Sequence, residues 1–351
     1  MLHPGPLIAS GIVDIAVEAG AAASIDDVAA EAAPALGFLR AAWFAAGTQD
    51  LTTLVARRPA TGRAIAALPL ARRKLGPLTV RQMAGHYWPY RSVPLALDIA
   101  DDELDALLGS PEALAALGRA WRIGPVLSDD PAATRLESAA RRCGWHVLRR
   151  SLGTYFIVDL ERLVADGPWP SSKTLQRNRR HERRLAETGP LDFRHVSGAE
   201  WDGSVFDMLA AIETESWVAR AKDGDPKFIE PADRRAWEHA VSDPEIAARL
   251  GASFLTIGGA PVAFNFTLRA GDILHVIANS YSQRFADRSP GRVLLYREFQ
   301  RAVANGVARI GWGAGDPGYK HEMGATPGAG IEDLMFVRGA VLAKLARLAW
   351  R

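Results

Sequence analysis

The most informative segment of the chain reads Arg288-Ser289-Pro290-Gly291-Arg292-Val293-Leu294-Leu295. It follows a strand hairpin and precedes a stretch with the apolar spacing of an amphipathic helix. Pro290 and Gly291 fit the first turn of that helix, and Ser289 fits its N-cap. The N–H groups and positive dipole end of such a helix suit a pyrophosphate, to which Arg288 and Arg292 could add charge. The alternative is an ordinary capped helix.

Strands and helices alternate on both sides of this segment. Before it, hairpins at Gly258-Gly259 and Ala270-Gly271 join three predicted strands, which are Ser253–Ile257, Pro261–Leu268 and Asp272–Asn279. After it we expect strands at Arg309–Trp312 and Asp333–Val337 and a terminal helix over Val341–Arg351. The pattern indicates a mixed α and β domain with a largely antiparallel sheet.

The earlier part of the chain follows a similar order of elements. Leu51–Val55 and Ala64–Leu70 are typical of paired strands, and Asp102–Trp121 has apolar residues at helical spacing. The best candidate linker is Gly167-Pro-Trp-Pro170. We therefore predict an α+β protein with two related halves, residues 1–168 and 169–351, each a mostly antiparallel sheet flanked by helices.

Composition limits the classes of function. The 351 residues are 48% hydrophobic and 23% charged, which is typical of a globular protein with a sizeable core. The net charge of +2 argues against a dedicated nucleic-acid binder. Cys143 is the single cysteine, so no intrachain disulfide can form. We see neither a signal peptide nor an apolar run of about 20 residues, and we expect a cytoplasmic protein.

Two further segments carry clustered polar residues. The glycine-rich stretch 311–324 contains Asp316, Tyr319 and Lys320, which suits a binding loop or a plain loop with salt bridges. The stretch 172–185 is a strongly basic predicted helix with four cations on one face, namely Lys173, Arg177, Arg180 and Arg184. It is interpreted as a solvated helix, a phosphate clamp or a patch for anionic lipid.

Taken in order, these segments resemble one family, the bacterial GNAT-type acetyltransferases of the CelD-like, cellulose-biosynthesis-annotated group. That group is related to the Fem-type aminoacyl transferases. The resemblance covers about residues 45–338. Its motifs are the basic run ending at Leu185, Glu213-Thr-Glu-Ser-Trp217, Val262-Ala-Phe-Asn-Phe266, Ser289-Pro-Gly-Arg-Val-Leu-Leu295 and Gly315-Asp-x-x-Tyr-Lys320.

The resemblance implies direct transfer of an acyl group from an acyl-CoA co-substrate to an amine, with no metal. The coenzyme A contacts would be Arg288, Ser289, Gly291, Arg292, Val293, Leu294 and Lys320. The candidate bases are Glu213, Glu215, His275 and Asp316, and the candidate acid is Tyr319. The strand Pro261–Leu268 is the candidate for polarising the thioester. One departure is Gly311, which stands where the family usually has Asp.

The acceptor is expected to be a small-molecule or lipid-like amine, as in ceramide-synthase-like relatives. The terminal stretch 341–351 has an apolar side and a basic side, which suits weak contact with an anionic membrane. The protein would then also be peripheral on the inner membrane. Packing of this helix on the second half is the alternative. A Fem-like aminoacyl transferase and a degenerate GNAT ligand-binding protein remain the alternative functions.

Overall fold

The computed structural model describes residues 11–45, 50–75, 78–85, 91–221, 224–315 and 318–350. The chain divides into two compact units, Met1–Thr154 together with Ala329–Arg351, and Tyr155–Gly328. Each unit contains both helices and strands. No helix in the described ranges is long and apolar enough to span a membrane.

The elements alternate along the chain. The strands are β1 (Asp14–Ala19), β2 (Thr52–Arg57), β3 (Ala64–Leu75), β4 (Leu78–Met83), β5 (Ala120–Leu127), β6 (Trp145–Asp159), β7 (Leu191–Ser197), β8 (Leu250–Ile257), β9 (Ala260–Ala270), β10 (Ile273–Tyr281), β11 (Arg309–Ala314) and β12 (Ala325–Arg338). The helices are α1 (Ser24–Ala30), α2 (Ala41–Ala45), α3 (Asp101–Gly109), α4 (Pro111–Leu117), α5 (Pro131–Arg142), α6 (Leu160–Ala165), α7 (Ser172–Ala186), α8 (Gly203–Glu215), α9 (Pro231–Ala240), α10 (Pro244–Arg249), α11 (Pro290–Ala304), α12 (Tyr319–Glu322) and α13 (Ala340–Ala349).

In the first unit, β1, β2, β3 and β4 pair in sequence as antiparallel neighbours. β5 then pairs parallel with β4, and the end of β12 pairs antiparallel with β5. Trp121 of β5 stacks on Phe336 of β12 at a ring distance of 4.1 Å, and both rings are fully buried. This pair places the last strand of the chain in the core of the first unit.

The second unit repeats the same order. β7, β8, β9 and β10 are successive antiparallel neighbours, β11 is parallel to β10, and the end of β6 is antiparallel to β11. The predicted α+β class with two halves of similar topology is therefore confirmed.

The compact units differ from the predicted division at residues 168 and 169. Residues 155–168 lie in the second unit, and residues 329–351 lie in the first. The physical reason is that each predicted half supplies one strand to the sheet of the other half. β6, at the end of the first half, supplies the neighbour of β11, and β12, near the end of the chain, supplies the neighbour of β5.

Helices cover both faces of the sheet in the second unit. On one face, Leu274, Ile310 and Trp312 pack against Tyr296 and Phe299 of α11. On the other, α8 and α9 pack over β9, where Trp237 contacts Phe266 at a ring distance of 5.0 Å. These contacts fix α11 beside β10 and β11.

Candidate functional site

The start of α11 exposes backbone donors. Pro290 occupies the first helical position, as predicted, and the first hydrogen bond of the helix runs from the Val293 N–H to the Ser289 carbonyl at 3.2 Å. The N–H groups of Gly291 and Arg292 therefore precede the helical ladder. No side chain in the described part of the chain caps them. This helix end can accept an anion.

The prediction that the Ser289 side chain caps α11 is wrong. It occupies the N-cap position, but its backbone is left-handed, with φ of 59° and ψ of 47°, and its side chain makes no capping hydrogen bond. A capping side chain reaches back to the helix from an extended backbone, which Ser289 does not have. The hydroxyl is therefore not committed to the helix N–H groups.

Gly291 lets α11 approach the end of β10. A Cβ atom built at this position would lie 2.8 Å from Cδ1 of Tyr281, well inside normal contact distance. A side chain here would push the first turn of α11 away from Tyr281. Gly291 therefore sets the distance between the helix start and β10.

The side chains of Val293 and Leu294 are not available to a ligand. Both are buried in a cluster with Leu185 and Val262. Since the Val293 N–H already donates within the helix, the predicted coenzyme A contacts at these two positions are corrected to core packing.

The two predicted arginines are both engaged. The Arg288 guanidinium donates to the Arg184 carbonyl and lies 3.5 Å from a Glu187 carboxylate oxygen, so it ties the end of α7 to the segment before α11. Arg292 donates to Glu322 at 3.1 Å, while its buried Nε has no partner among the described residues. Arg292 remains beside the helix start, whereas Arg288 holds neighbouring elements together.

β10 and β11 stop pairing partway along their length. Their parallel ladder covers only Ile273–His275 and Arg309–Gly311, although β10 continues to Tyr281 and β11 to Ala314. Just beyond the last pair, the register of β10 with β9 shifts between Val276 and Ala278. A strand that leaves its neighbour in this way can present backbone groups to a ligand.

The strand predicted to polarise a thioester does not border this gap. Pro261–Leu268 lies within β9, which pairs with β8 on one side and with β10 on the other. Its backbone groups serve those two ladders. The later part of β10, rather than β9, faces the gap left by β11.

A buried pair lies at the last rung before this gap. The Tyr155 hydroxyl and Nδ1 of His275 are 2.8 Å apart, and both side chains are buried. A Cβ built on Gly311 would lie 2.5 Å from the Tyr155 oxygen and 2.6 Å from His275 Nδ1. Glycine at this position, where the family that the sequence resembles usually has aspartate, thus makes room for the tyrosine–histidine pair. Sequence reasoning missed Tyr155 because it is 120 positions from His275.

His275 does not suit the role of base predicted for it. Burial, with a smaller contribution from the charge of Arg309, lowers the pKa of His275 to about 3. The ring is therefore neutral at neutral pH and has little tendency to take a proton. We assign it to holding Tyr155 at the point where the strands separate.

Glu213 is a loop anchor. Its buried carboxylate accepts backbone N–H groups from Lys227 at 2.8 Å, Phe228 at 2.7 Å and Ile229 at 3.2 Å. Burial raises the pKa of this carboxyl, and the three backbone donors act in the opposite direction. Because its oxygens serve these three donors, the predicted role of Glu213 as the base is corrected to a structural one.

Glu215, unlike Glu213, lies beside the segment that connects β10 to α11. It is the last residue of α8, its side chain is 44% exposed, and its carboxylate accepts a hydrogen bond from the buried Ser282. Ser282 directly follows β10, on the way to α11. Glu215 is thus the predicted base that the structure leaves accessible to solvent beside the end of β10.

Lys320 stabilises the glycine-rich loop. Its buried ammonium donates to the carbonyls of Trp312 at 2.6 Å, Ala314 at 3.0 Å and Gly315 at 2.9 Å. An ammonium has three N–H groups, and these are used inside the protein. The coenzyme A contact predicted for Lys320 is corrected accordingly. Asp316 and the Tyr319 side chain lie outside the described residues.

The chain is similar to a known protein family over part of its length and to several solved structures. Residues 172–321 match the family model of the Acetyltransferase (GNAT) domain. No curated protein matches the chain significantly. Among solved structures, FemX is similar, with a TM-score of 0.55 and 12% identity over 85% of this chain and 90% of FemX. The C-terminal domain of a putative lysylphosphatidylglycerol synthetase from Agrobacterium fabrum is also similar, with a TM-score of 0.53 and 15% identity over 93% of each chain.

The matched segment carries a GNAT acetyltransferase domain, and the class of the protein is that of the acyltransferases. It begins at α7 and ends within α12, so it contains the start of α11 and the gap between β10 and β11. At 12% and 15% identity, the two solved structures show the fold. The finer CelD-like grouping stays a resemblance.

Proposed function

We propose that the protein transfers an acyl group from an acyl-CoA thioester to an amine. The observation that carries this is that the start of α11, with its free N–H groups, packs against Tyr281 at the end of β10, the strand that separates from β11. The diphosphate of coenzyme A would bind the helix start, and the thioester would reach into the gap. The GNAT domain match supports this donor class.

The chemistry requires few protein groups. The amine nitrogen attacks the thioester carbon, so a C–N bond forms and the C–S bond breaks. Backbone N–H groups of β10 beyond His275 would stabilise the negative oxygen of the tetrahedral intermediate, an effect worth roughly 3–4 kcal/mol per well-placed donor. Glu215, directly or through water, would take the amine proton. The departing thiolate leaves as such or takes a proton from solvent.

Release of free thiol from acyl-CoA in the presence of a panel of amines tests the proposal. We expect turnover with at least one amine, and a loss of about 100-fold on Glu215→Gln if this carboxylate is the base. Glu112→Gln, an exposed residue of the first unit, is the matched control and should leave the rate unchanged. If coenzyme A binds but no amine causes release of thiol, the proposed acyl transfer is wrong and the alternative of a ligand-binding protein is supported.

A second candidate is a Fem-like transferase that uses aminoacyl-tRNA. The feature that favours it is the set of exposed arginines on α7, which are Arg177, Arg179, Arg180 and Arg183. A basic helix of this kind binds nucleic-acid phosphates in a salt-dependent manner. Tight, salt-dependent binding of aminoacyl-tRNA with no saturable binding of coenzyme A would favour this candidate over the first.

The acceptor is proposed to be a lipid-like amine at an anionic membrane surface, reached through α13. One side of this helix packs in the first unit, where Leu342, Ala346 and Trp350 contact a cluster that includes Leu148 and Met335. The Trp350 ring also lies 4.2 Å from the Arg150 guanidinium. Leu342 and Trp350 are therefore committed to the protein and are not available to a membrane.

The opposite side of α13 is open. Val341, Leu345 and Leu348 are 75%, 60% and 69% exposed, and their spacing places them on one stripe of the helix. Lys344 and Arg347 are exposed on the same helix. An apolar stripe with adjacent cations fits an anionic bilayer surface, although a helix of ten residues would bind weakly and reversibly.

Flotation with anionic vesicles at low salt tests this contact. We expect the wild-type protein to float, and the variant Val341→Ser/Leu345→Ser/Leu348→Ser to stay in the soluble fraction. Leu97→Ser is the matched control, because Leu97 is also 69% exposed but lies elsewhere in the first unit. If wild type and triple variant float equally, α13 does not make the contact.

A further inference from the structure

A polar cavity lies at the C-terminal end of α11, opposite the end proposed to bind coenzyme A. It has a volume of about 190 Å³ and opens beneath the C-terminal turn of the helix. Its walls come from β7, β8, β9 and β10, from the end of α10, and from the end of α11 with the segment that follows it. Because α11 has 15 residues, the two ends of the helix are about 20 Å apart. This cavity is therefore separate from the proposed acyl-CoA site.

The charged side chains that line the cavity are of one sign. All charged side chains that the structure describes in its lining are arginines, namely Arg249, Arg269 and Arg301. The buried Nε of Arg249 has no partner among the described residues, and Arg269 is exposed at the rim. These guanidinium groups retain donors that a ligand can use.

Neutral polar groups complete the lining. Thr267 is buried, and Asn305 follows the end of α11. Nδ1 of His195 is 2.9 Å from the Ser253 hydroxyl, which in turn donates to the buried Glu298 carboxylate. This chain of hydrogen bonds fixes the imidazole at the wall of the cavity. The cavity is therefore a polar site with an ordered wall rather than a gap between apolar side chains.

Three groups oppose an anion here, and none of them is sufficient to exclude one. Glu298 pairs with Arg301 at 2.6 Å and so neutralises one of the three cations. The C-terminal end of α11 contributes about half a negative charge. Glu245 lies 3.9 Å from Arg249, and at 63% exposure it contributes little. Arg249 and Arg269 remain as effective positive charges.

We propose that this cavity binds a small oxyanion, either a phosphate group or a carboxylate, at a site separate from acyl transfer. The two arginines that are not paired with Glu298 would donate to its oxygens, and Thr267 and Asn305 would add neutral contacts. The volume admits an anion of the size of inorganic phosphate or acetate. The proposal does not depend on the donor used in acyl transfer.

Titration calorimetry with sodium phosphate and, separately, sodium acetate tests the proposal, on the full chain at constant ionic strength against sodium chloride. We expect saturable one-site binding of at least one anion. Arg249→Gln/Arg269→Gln should weaken it about tenfold or more, which corresponds to about 1.4 kcal/mol. Binding of phosphate alone identifies a phosphorylated ligand, and binding of acetate alone identifies a carboxylate.

Two control variants and one single test variant separate this site from others. Arg235→Gln removes an exposed arginine on α9 and should leave binding unchanged. Arg292→Gln alters the opposite end of α11 and should also have no effect. Arg269→Gln alone, at an exposed position, should weaken binding without affecting folding. The proposal is overturned by the absence of saturable binding, by equal weakening in Arg235→Gln, or by a loss of binding confined to Arg292→Gln.

Discussion

At the scale of single residues, Gly311 limits what the candidate site can contain. Its missing side chain leaves the space in which Tyr155 meets His275. The sequence marks Gly311 as a departure from the family pattern but gives no reason for it. The reason appears only when β6, β10 and β11 are placed side by side, because a contact across 120 positions leaves no local pattern.

Gly311→Ala should destabilise the protein by about 1–3 kcal/mol, because the added methyl group overpacks a buried position. Urea unfolding measures the change in the free energy of unfolding. Gly203→Ala is the control, since a Cβ at Gly203 meets no atom within 4 Å. Equal stability of Gly311→Ala and wild type would contradict the close packing inferred here.

His275 should make stability depend on pH. Its folded-state pKa of about 3 lies below the ordinary histidine pKa of 6.5, so over this range the unfolded chain binds a proton that the folded chain does not. Its contribution to stability is complete above the unfolded pKa and is lost as the pH falls from about 6.5 towards 3, at up to about 1.4 kcal/mol per pH unit.

The measurement is the free energy of unfolding at pH 7 and pH 5 for wild type and His275→Asn. We expect wild type to lose more stability than the variant, which has no titrating ring at this position. Parallel pH profiles would show that His275 can be protonated in the folded protein.

At the scale of elements, the sequence located α11 and its proline start well, because proline, glycine and apolar spacing are local signals. The apolar spacing of Asp102–Trp121 predicts helical structure but does not show where it is interrupted. The structure divides this stretch into α3 and α4, since Ser110 caps α4 through the Ala113 N–H at 3.0 Å and Pro111 begins it. The early end of the β10–β11 ladder has no local signal either, because it depends on the partner strand.

The loop after β11 should depend on Lys320. Lys320→Met removes charge-assisted hydrogen bonds worth about 1.5–3 kcal/mol each, so the free energy of unfolding should fall by at least about 1.5 kcal/mol. Affinity for coenzyme A should change little, since the ammonium is directed at the loop carbonyls. Lys344→Met, an exposed position on α13, is the control. A large loss of affinity with unchanged stability would instead place Lys320 at the ligand.

At the scale of the whole molecule, the second unit depends on a strand from the first half. Phe156 and Val158 of β6 belong to the core cluster that includes α11 and β11. The proline-rich linker predicts a boundary at residue 168 and gives no sign of this dependence, because strand exchange leaves no mark on composition.

The segment 172–321, which matches the family model, should therefore not fold cooperatively alone. It lacks β6 and β12 entirely, whereas residues 155–328 retain the neighbour of β11. Near-ultraviolet circular dichroism during urea unfolding distinguishes the two fragments. Cooperative unfolding of 172–321 with the stability of 155–328 would show that β6 is dispensable.

The central claim is that coenzyme A binds at the start of α11. Isothermal titration of coenzyme A into wild type, Gly291→Leu and Gly203→Ala tests it most directly. A leucine at position 291 would meet the Tyr281 ring and displace the helix start, whereas Gly203 has open space around it. We predict saturable binding to wild type and Gly203→Ala, and a loss of at least about tenfold in affinity for Gly291→Leu with the fold retained. Equal affinity of coenzyme A for all three proteins would contradict the account.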